Sequence, residues 1–350
     1  MSEMRYIPNK MKGKTPYDPI SGSYSIRLDA NESPYPIPAE LLDRFCEALK
    51  EESLNRYPDP TCASVRNAFS SYYRVDPANV VVGNGSDELI NLILNCFFDK
   101  GDKVGIATPE FSMYRFYAEL AEDAMVFTEK DSTFSLDRFS AFAKENGCRA
   151  VIFSNPCNPT GAGFDKEEVL RFIRQTSCLC IIDEAYMDFW NQSILTLAPE
   201  FENVIVLRTL SKAFGAAGAR IGFAVANPLL IRNLNVARSP YNVNSLSQRL
   251  ATLLLENGDL CNHGKELGQR AKELQSRLTE LFPDARVFPT CANFVFMETP
   301  NASELFRYLA DCGIAVRLFG NSHLRICAGT EKEMDRLYET LTRFGTEDPS

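Results

Sequence analysis

The chain has 350 residues, of which 45% are hydrophobic and 24% charged, and its formal net charge is -9. An acidic globular protein of this size has room for two domains and is a poor partner for nucleic acid or anionic membranes. It also lacks a signal peptide's apolar core and any run long enough to span a bilayer, so we expect a cytoplasmic protein. The 11 cysteines include no CxxC pair and only two histidines are present, which predicts no metal site.

Short apolar runs alternate with amphipathic stretches between residues 80 and 225. Strands are predicted at 80–82, 103–107, 124–127, 150–153, 180–182, 204–207 and 221–225, with helical patterns such as 87–97 and 165–175 between them. Apolar strands separated by helices predict a mainly parallel sheet covered on both faces, an α/β fold. Ligands of such sheets bind beyond the carboxyl ends of the strands, so polar segments after strands are candidate site residues.

After residue 228 the pattern changes to helices, which fill about 228–282, followed by short strands with helices among them. This change predicts a second, smaller α+β domain that the N-terminal segment joins. We expect a large α/β domain at 29–237, and a small domain built from an N-terminal arm, 1–28, and from 238–350.

The first polar segment, 83–88, follows a predicted strand and opens a helix. We predict Ser86 as the N-cap, and the glycines of the segment let backbone N–H groups approach an anion at the positive end of the helix. A plain strand–helix turn is one alternative. A dinucleotide-binding turn is another, although that fingerprint requires a third small residue where Glu88 stands.

Two further strand ends carry groups suited to a planar ligand. Phe111 follows the strand at 103–107, where its ring could stack on another ring, although many such phenylalanines are core residues. The segment 154–161 contains two Asn-Pro steps and a final glycine, which predict a rigid turn that projects Asn158. Its amide could donate to a phenolate oxygen, or the segment could be only a turn.

Asp183 ends the apolar strand at 180–182, and Tyr186 follows three residues later. Burying a carboxylate is costly unless a cation pairs with it, and a protonated pyridine nitrogen is such a cation. Tyr186 could donate to the oxygen of the same ring. A strand-end aspartate that caps the next loop is the alternative; a Walker-type role lacks its GxxxxGK[ST] loop.

Thr209, Ser211 and Lys212 follow the next strand, and Arg220 precedes the last one. A lysine between hydroxyl and small residues can be partly desolvated, which frees its amine for carbonyl chemistry. Two hydroxyls and an arginine suit a phosphate. A lysine, a carbonyl and a phosphate together suggest pyridoxal 5'-phosphate (PLP), held as a Schiff base.

The ordered series of these segments resembles the fold type I PLP enzymes of the class I/II aminotransferase group. That resemblance implies an aspartate-aminotransferase-like large domain. The segments 28–34, 55–59 and 324–329 are similar to the histidinol-phosphate aminotransferase branch, and the match runs from about residue 16 to residue 337. Two features depart from the branch: Phe111 stands where tyrosine is frequent, and the segment between Tyr17 and Leu28 is shorter than usual.

The resemblance implies a role for each site residue. Lys212 would form the Schiff base and shuttle the proton, Asp183 would pair with the pyridinium, and Tyr186 would hold the ring oxygen. The other cofactor contacts would come from Ser86, Asp87, Phe111, Asn158, Thr209, Ser211 and Arg220, and from Tyr57, which would reach the phosphate of the neighbouring subunit's cofactor. The active sites would therefore be shared in a homodimer. Substrate contacts would come from Arg325, on the α-carboxylate, and from Arg317, Asn31 and Tyr17.

The same resemblance implies transfer of an amino group between L-histidinol phosphate and 2-oxoglutarate, a step of L-histidine biosynthesis. The partners would be a small-molecule amino donor and a 2-oxo acid acceptor. An aromatic amino acid aminotransferase and a threonine-phosphate decarboxylase are the alternatives on the same fold. A non-catalytic PLP-holding regulator is the alternative of another class; the segment before Asp29 is short for a DNA-binding module, and the chain is acidic. A nicotinamide dehydrogenase is the most distant alternative.

Overall fold

The structure is a computed structural model that describes residues 6–16 and 19–346. Its strands are β1 Ile26–Arg27, β2 Val80–Gly83, β3 Lys103–Thr108, β4 Ala124–Glu129, β5 Ala150–Ser154, β6 Leu179–Asp183, β7 Val204–Thr209, β8 Gly222–Ala226, β9 Arg286–Val287, β10 Phe294–Glu298, β11 Ile314–Ala315, β12 Arg317–Phe319 and β13 His323–Cys327. Its α-helices are α1 Ala39–Lys50, α2 Ala63–Tyr73, α3 Ser86–Cys96, α4 Ser112–Ala121, α5 Leu136–Glu145, α6 Lys166–Gln175, α7 Pro228–Ala237, α8 Ser245–Glu256, α9 Gly258–Cys261, α10 Gly264–Leu281, α11 Ala302–Asp311 and α12 Glu331–Thr346.

The predicted mainly parallel sheet is confirmed. Seven strands lie in the order β2-β8-β7-β6-β5-β3-β4, and β8 is antiparallel to both of its neighbours while the other pairs are parallel. Because β3, β5, β6 and β7 are parallel and adjacent, their carboxyl ends meet at one edge. This edge is where the sequence places its polar segments.

Alternate residues of the strands face two different hydrophobic cores, one on each side of the sheet. In β5, Val151 and Phe153 belong to one core and Ala150 and Ile152 to the other. All five residues of β5 are buried, which explains why the strand reads as an unbroken apolar run. Burying each large side chain stabilises the fold by about 1.5–3 kcal/mol, so the sheet forms a stable platform for the site.

A third core lies around the four-stranded antiparallel sheet β12-β13-β10-β9 and the parallel pair of β1 with β11. Helices α10, α11 and α12 contribute Leu274, Leu305 and Leu337 to this core. The division into domains 29–237 and 1–28 with 238–350 stays a prediction. Helix α8, which follows the predicted boundary, packs through Ala251 and Leu254 in a core of the seven-stranded sheet.

Across the described residues, none of the helices is sufficiently long and apolar to cross a membrane. In the same part of the chain, His, Cys, Asp and Glu side chains form no group of three that could hold a metal ion.

Candidate active site

A cavity of about 710 Å³ opens where the carboxyl ends of β3, β5, β6 and β7 face β12 and β13. Its volume is typical of a small-molecule site. The predicted site residues that line it are Asn31, Ser86, Asp87, Phe111, Asn158, Asp183, Tyr186, Thr209, Ser211, Lys212, Arg220, Arg317 and Arg325. Tyr57 is not among the lining residues, and Tyr17 lies outside the described residues. The structure therefore brings together segments that are far apart in the sequence.

Lys212 lies on the cavity wall three residues after the end of β7. Its neighbours Ser211 and Ala213 are buried, so the backbone is anchored while the lysine side chain reaches the cavity. The Nζ atom donates to the carbonyl oxygen of Ala30 at 3.0 Å and lies 5.8 Å from the centroid of the Tyr186 ring. An amine held in this way can meet a carbonyl group inside the cavity.

Asp183 is the last residue of β6 and is only 4% exposed. Its Oδ2 accepts a hydrogen bond from the Tyr114 hydroxyl at 2.8 Å, and its Oδ1 accepts one from the Ala185 N–H at 3.0 Å. Burial raises the pKa of this carboxyl from 3.8 to about 6, against the lowering effect of the two hydrogen bonds. A cation placed beside Asp183 would favour its ionised form.

Tyr186 and Asn158 lie at the centre of a chain of hydrogen bonds. The Tyr186 hydroxyl oxygen accepts from the Asn31 amide at 2.8 Å and from the Asn158 amide at 3.5 Å. The Asn158 Oδ1 accepts from Arg325 Nη1 at 2.6 Å, and the Arg325 Nη2 donates to the Asp29 carbonyl at 2.7 Å. The chain joins a buried guanidinium to the two groups that were predicted to hold a ring oxygen.

Asn31 was predicted as a substrate contact, and the structure shows what fixes it. Its backbone has a φ of 56°, a left-handed conformation that asparagine tolerates better than most residues. Its N–H donates to the Cys327 sulfur at 3.1 Å, while the Cys327 thiol donates to Asn31 Oδ1 at 3.0 Å. The side-chain nitrogen of Asn31 is the group that donates to the Tyr186 hydroxyl, and Asn31 also lines the cavity.

The N-terminus of α3 faces Arg220, Ser211 and Thr209. The Thr209 hydroxyl donates to Ser211 Oγ at 2.9 Å, and Arg220 Nη1 donates to the same Oγ at 3.5 Å. Ser86 was predicted as the N-cap of the helix, and this was wrong. The helix begins at Ser86, and its N-cap is Gly85, at a φ of 87°, which has no side chain with which to cap it. The exposed backbone N–H groups and the arginine make this end an anion cradle.

Two glycines allow the groups that form the anion cradle to lie close together. A Cβ atom on Gly85 would lie 2.6 Å from Arg220 Nη2, and one on Gly222 would lie 2.4 Å from the Ser86 nitrogen. Asp87 contacts Arg220 at 3.5 Å. Burial raises the pKa of the Asp87 carboxyl, while the charges of Arg220 and Lys212 oppose that rise. The lining groups fit a phosphorylated planar ring with a carbonyl: an anion cradle, an amine, a buried carboxylate and ring-oxygen donors.

Arg317 and Arg325 are directly opposite each other on the antiparallel strands β12 and β13, and both line the cavity. Opposed residues of an antiparallel pair project from the same face of the sheet. The Arg325 guanidinium lies 5.4 Å from the ring centroids of both Phe294 and Phe319, which hold it from two sides. This wall of the cavity is therefore suited to an anionic part of a ligand.

Tyr57 lies away from the cavity, is 80% exposed and stacks on Tyr241, with 4.5 Å between the ring centroids. Its predicted contact with the cofactor of a neighbouring subunit stays a prediction.

Two residues that the sequence reasoning did not assign also line the cavity, Tyr114 and Glu110. Glu110 accepts hydrogen bonds from the backbone N–H and the hydroxyl of Ser154, and from Lys130. Tyr114 binds Asp183. The signal that could have identified Tyr114 is its spacing of three residues from Phe111 at the start of a helix, which puts both rings near the same face.

Known proteins resemble this chain in sequence and in overall fold. Residues 24–341 match the sequence profile of the family described as aminotransferase class I and II. The histidinol-phosphate aminotransferase of Caldanaerobacter subterraneus subsp. tengcongensis is 37% identical over 342 residues, which cover 96% of this chain and 97% of the relative. That of Thermoanaerobacter pseudethanolicus is 37% identical over 315 residues, 89% of this chain and 90% of the relative.

Among solved structures, the histidinol-phosphate aminotransferase of Sinorhizobium meliloti, crystallised with pyridoxal-5'-phosphate, superposes with a TM-score of 0.86. The superposition covers 99% of each chain at 22% sequence identity, which establishes a shared fold.

Proposed function

The chain belongs to the aminotransferase class I and II family, and on that premise we propose that it is a PLP-dependent transaminase acting on histidinol phosphate. It would interconvert L-histidinol phosphate and imidazole-acetol phosphate, with 2-oxoglutarate and glutamate as the partner pair. The observation that carries the proposal is the convergence of Lys212, Asp183 and Arg325 on one cavity. Relatives at 37% identity that bear this activity support the choice of substrate.

When bound, PLP supplies a carbonyl that exchanges amino groups and a ring that withdraws electrons from the substrate Cα. Lys212 would hold the cofactor covalently, and its amine would take and return the proton of the substrate Cα. Asp183 would keep a proton on the ring nitrogen. Tyr186 and Asn158 would hold the ring oxygen, and the N-terminus of α3, with Arg220, would hold the phosphate.

Arg325 and Arg317 account for the ability of one site to take two different substrates. In histidinol phosphate, a CH2–O–phosphate group occupies the position on Cα that the α-carboxylate occupies in glutamate. Both anions would therefore reach the same wall of the cavity, where the Arg325 guanidinium offers a planar pair of donors. Arg317, opposite it in register, provides a second positive charge for the dianionic phosphate.

The active sites would be shared in a homodimer, in the cytoplasm. Tyr57 and Leu54 are 80% and 67% exposed, and Tyr241 stacks on Tyr57, so this loop presents apolar surface for a second copy. In the dimer, Tyr57 would reach the phosphate of the partner's cofactor.

A substrate panel tests the proposed reaction. We expect kcat/KM for histidinol phosphate to exceed the values for phenylalanine, tyrosine and threonine phosphate. Glutamate should abolish the visible absorbance of the holoenzyme, and Lys212→Ala should lower kcat by at least about 10²–10⁴-fold, because the proton-transfer group is lost. A preference for phenylalanine, or release of carbon dioxide from threonine phosphate, would replace the substrate assignment and leave the cofactor assignment standing.

Hybrid dimers test the shared site. Dimers of Lys212→Ala subunits alone, or of Tyr57→Phe subunits alone, should be weakly active. A mixed dimer would have one intact site, with Lys212 from the Tyr57→Phe subunit and Tyr57 from the Lys212→Ala subunit. Mixing them should restore activity well above the sum of the two parents. An additive result would show that each subunit uses its own Tyr57.

A further inference from the structure

We propose that Tyr114 is a positioning residue for the cofactor, and that its hydroxyl fixes Asp183 as the ionised partner of the ring nitrogen. The inference rests on the proposed function and extends it to a residue that neither the sequence motifs nor the family resemblance assigned.

The geometry brings Tyr114 into direct contact with the carboxylate. The Tyr114 hydroxyl donates to Asp183 Oδ2 at 2.8 Å, and both side chains are buried. Tyr114 lies in the first turn of α4, and its ring meets that of Phe111 edge-on at 5.5 Å between centroids. Phe111 lines the cavity. The N-terminal end of α4 would therefore position both the Phe111 ring, which stacks on the cofactor, and the Tyr114 hydroxyl, which orients the Asp183 carboxylate.

The electrostatics explain why Asp183 needs this donor. Within residues 6–16 and 19–346, no lysine, arginine or histidine lies within 4.0 Å of the Asp183 carboxylate oxygens. Burial favours the protonated acid, and the charges of Asp87 and Glu110 add to that tendency. The hydrogen bonds from the Tyr114 hydroxyl and the Ala185 N–H oppose that tendency and lower the pKa of Asp183. A protonated Asp183 would lose its attraction for a pyridinium.

The Tyr114 hydroxyl keeps its proton at neutral pH and can therefore donate a hydrogen bond there. Burial, and then the charge of Asp183, raise the pKa of its phenol well above 10, so the hydroxyl keeps its proton. The Ala185 N–H holds the other oxygen, Oδ1, at 3.0 Å. The two donors therefore fix the orientation of the carboxylate, which lines the cavity and keeps further acceptor capacity.

The test is Tyr114→Phe in the holoenzyme, which removes the hydroxyl and keeps the ring against Phe111. We expect the dissociation constant of PLP to rise about tenfold, the scale of a hydrogen bond to a charged group. The pH midpoint of the visible cofactor absorbance should move upward, because a less protonated ring withdraws fewer electrons from the linkage to Lys212. The kcat should fall while KM for glutamate stays within about twofold, since Arg325 is untouched.

Tyr338→Phe is the matched control. Tyr338 is also a partly buried tyrosine on a helix, but it packs against the core around β10 and β13 and does not line the cavity. We expect this variant to bind PLP and to titrate as wild type does. Thermal unfolding of the apo proteins shows whether either substitution disturbs the fold.

A double-mutant cycle decides whether Tyr114 acts through Asp183. In an Asp183→Ala background, Tyr114→Phe should change PLP affinity by less than about twofold, since the group it positions is gone. An undiminished effect in that background, or wild-type affinity, pH midpoint and kcat for Tyr114→Phe, would overturn the inference. A wild-type protein that fails to form a PLP adduct with a pH-dependent visible band would instead overturn the proposed function.

Discussion

Burial of the ionised Asp183 carboxylate destabilises the fold, so Asp183→Asn should make the PLP-free protein more stable. The carboxylate is buried at the end of β6, where it accepts hydrogen bonds from two neutral donors, the Tyr114 hydroxyl and the Ala185 N–H. Asparagine has the same shape. Its oxygen can accept from the Ala185 N–H while its amide donates to the Tyr114 hydroxyl oxygen, so both hydrogen bonds can be kept.

The size of the effect follows from the pKa of Asp183. Burial raises that pKa from 3.8, its ordinary value, to about 6 in the folded protein. At about 1.4 kcal/mol for each pKa unit, the ionised carboxylate lowers the free energy of unfolding by about 3 kcal/mol. Because the folded pKa is the higher one, the penalty is absent below pH 3.8, grows between pH 3.8 and 6, and is complete above that window.

The assay is urea unfolding of the apo forms of wild type and Asp183→Asn between pH 5 and pH 8. We expect the stability difference to grow with pH and to level off above about pH 7, with Asp183→Asn the more stable protein. The same variant should bind PLP more weakly, since a neutral amide does not pair with a pyridinium.

Two results would refute this reasoning. One is a lower free energy of unfolding for Asp183→Asn than for wild type at pH 8. The other is a stability difference that does not change with pH, which would mean that the gain, if any, does not come from removing a buried charge.

Three further substitutions separate cofactor binding, substrate binding and stability. Gly85→Ala should weaken PLP binding by about tenfold or more in a fluorescence titration, because the added Cβ would lie 2.6 Å from Arg220 Nη2 at a φ of 87°. Arg325→Lys should raise KM for glutamate and for histidinol phosphate together by about tenfold in steady-state kinetics, since a point charge replaces a planar fork; a change in one alone would refute a common anion site. Asp123→Asn should raise the urea midpoint more at pH 8 than at pH 5 and leave PLP affinity unchanged, because burial and then Asp102 raise the Asp123 pKa to about 6 far from the cavity.

Much of the fold and of the cofactor side of the site could be predicted from local patterns. The strands of the large sheet are buried on both faces and therefore read as apolar runs, as β5 does. Because parallel neighbours end at the same edge, the polar residues after those strands had to lie together, and Asp183, Asn158 and Lys212 do line one cavity.

Local patterns were less informative at the ends of helices. Ser86 follows a glycine and precedes an apolar helical pattern, which is the expected setting of an N-cap. The helix begins one residue earlier than that pattern suggests, because Gly85 adopts a φ of 87° that a side chain would resist. A side chain at this cap position would also clash, since a Cβ on Gly85 would lie 2.6 Å from Arg220 Nη2.

The sequence by itself determined the periodicity of the strands, their apolar burial and the chemistry that follows each one, since these depend on neighbours along the chain. Only the tertiary structure decided which distant groups meet: Tyr114 with Asp183, Asn31 with Tyr186 and Cys327. These partners are 69 to 296 positions apart. Their contacts arise from the packing of helices and sheets, which cannot be inferred from the spacing of neighbouring residues along the chain.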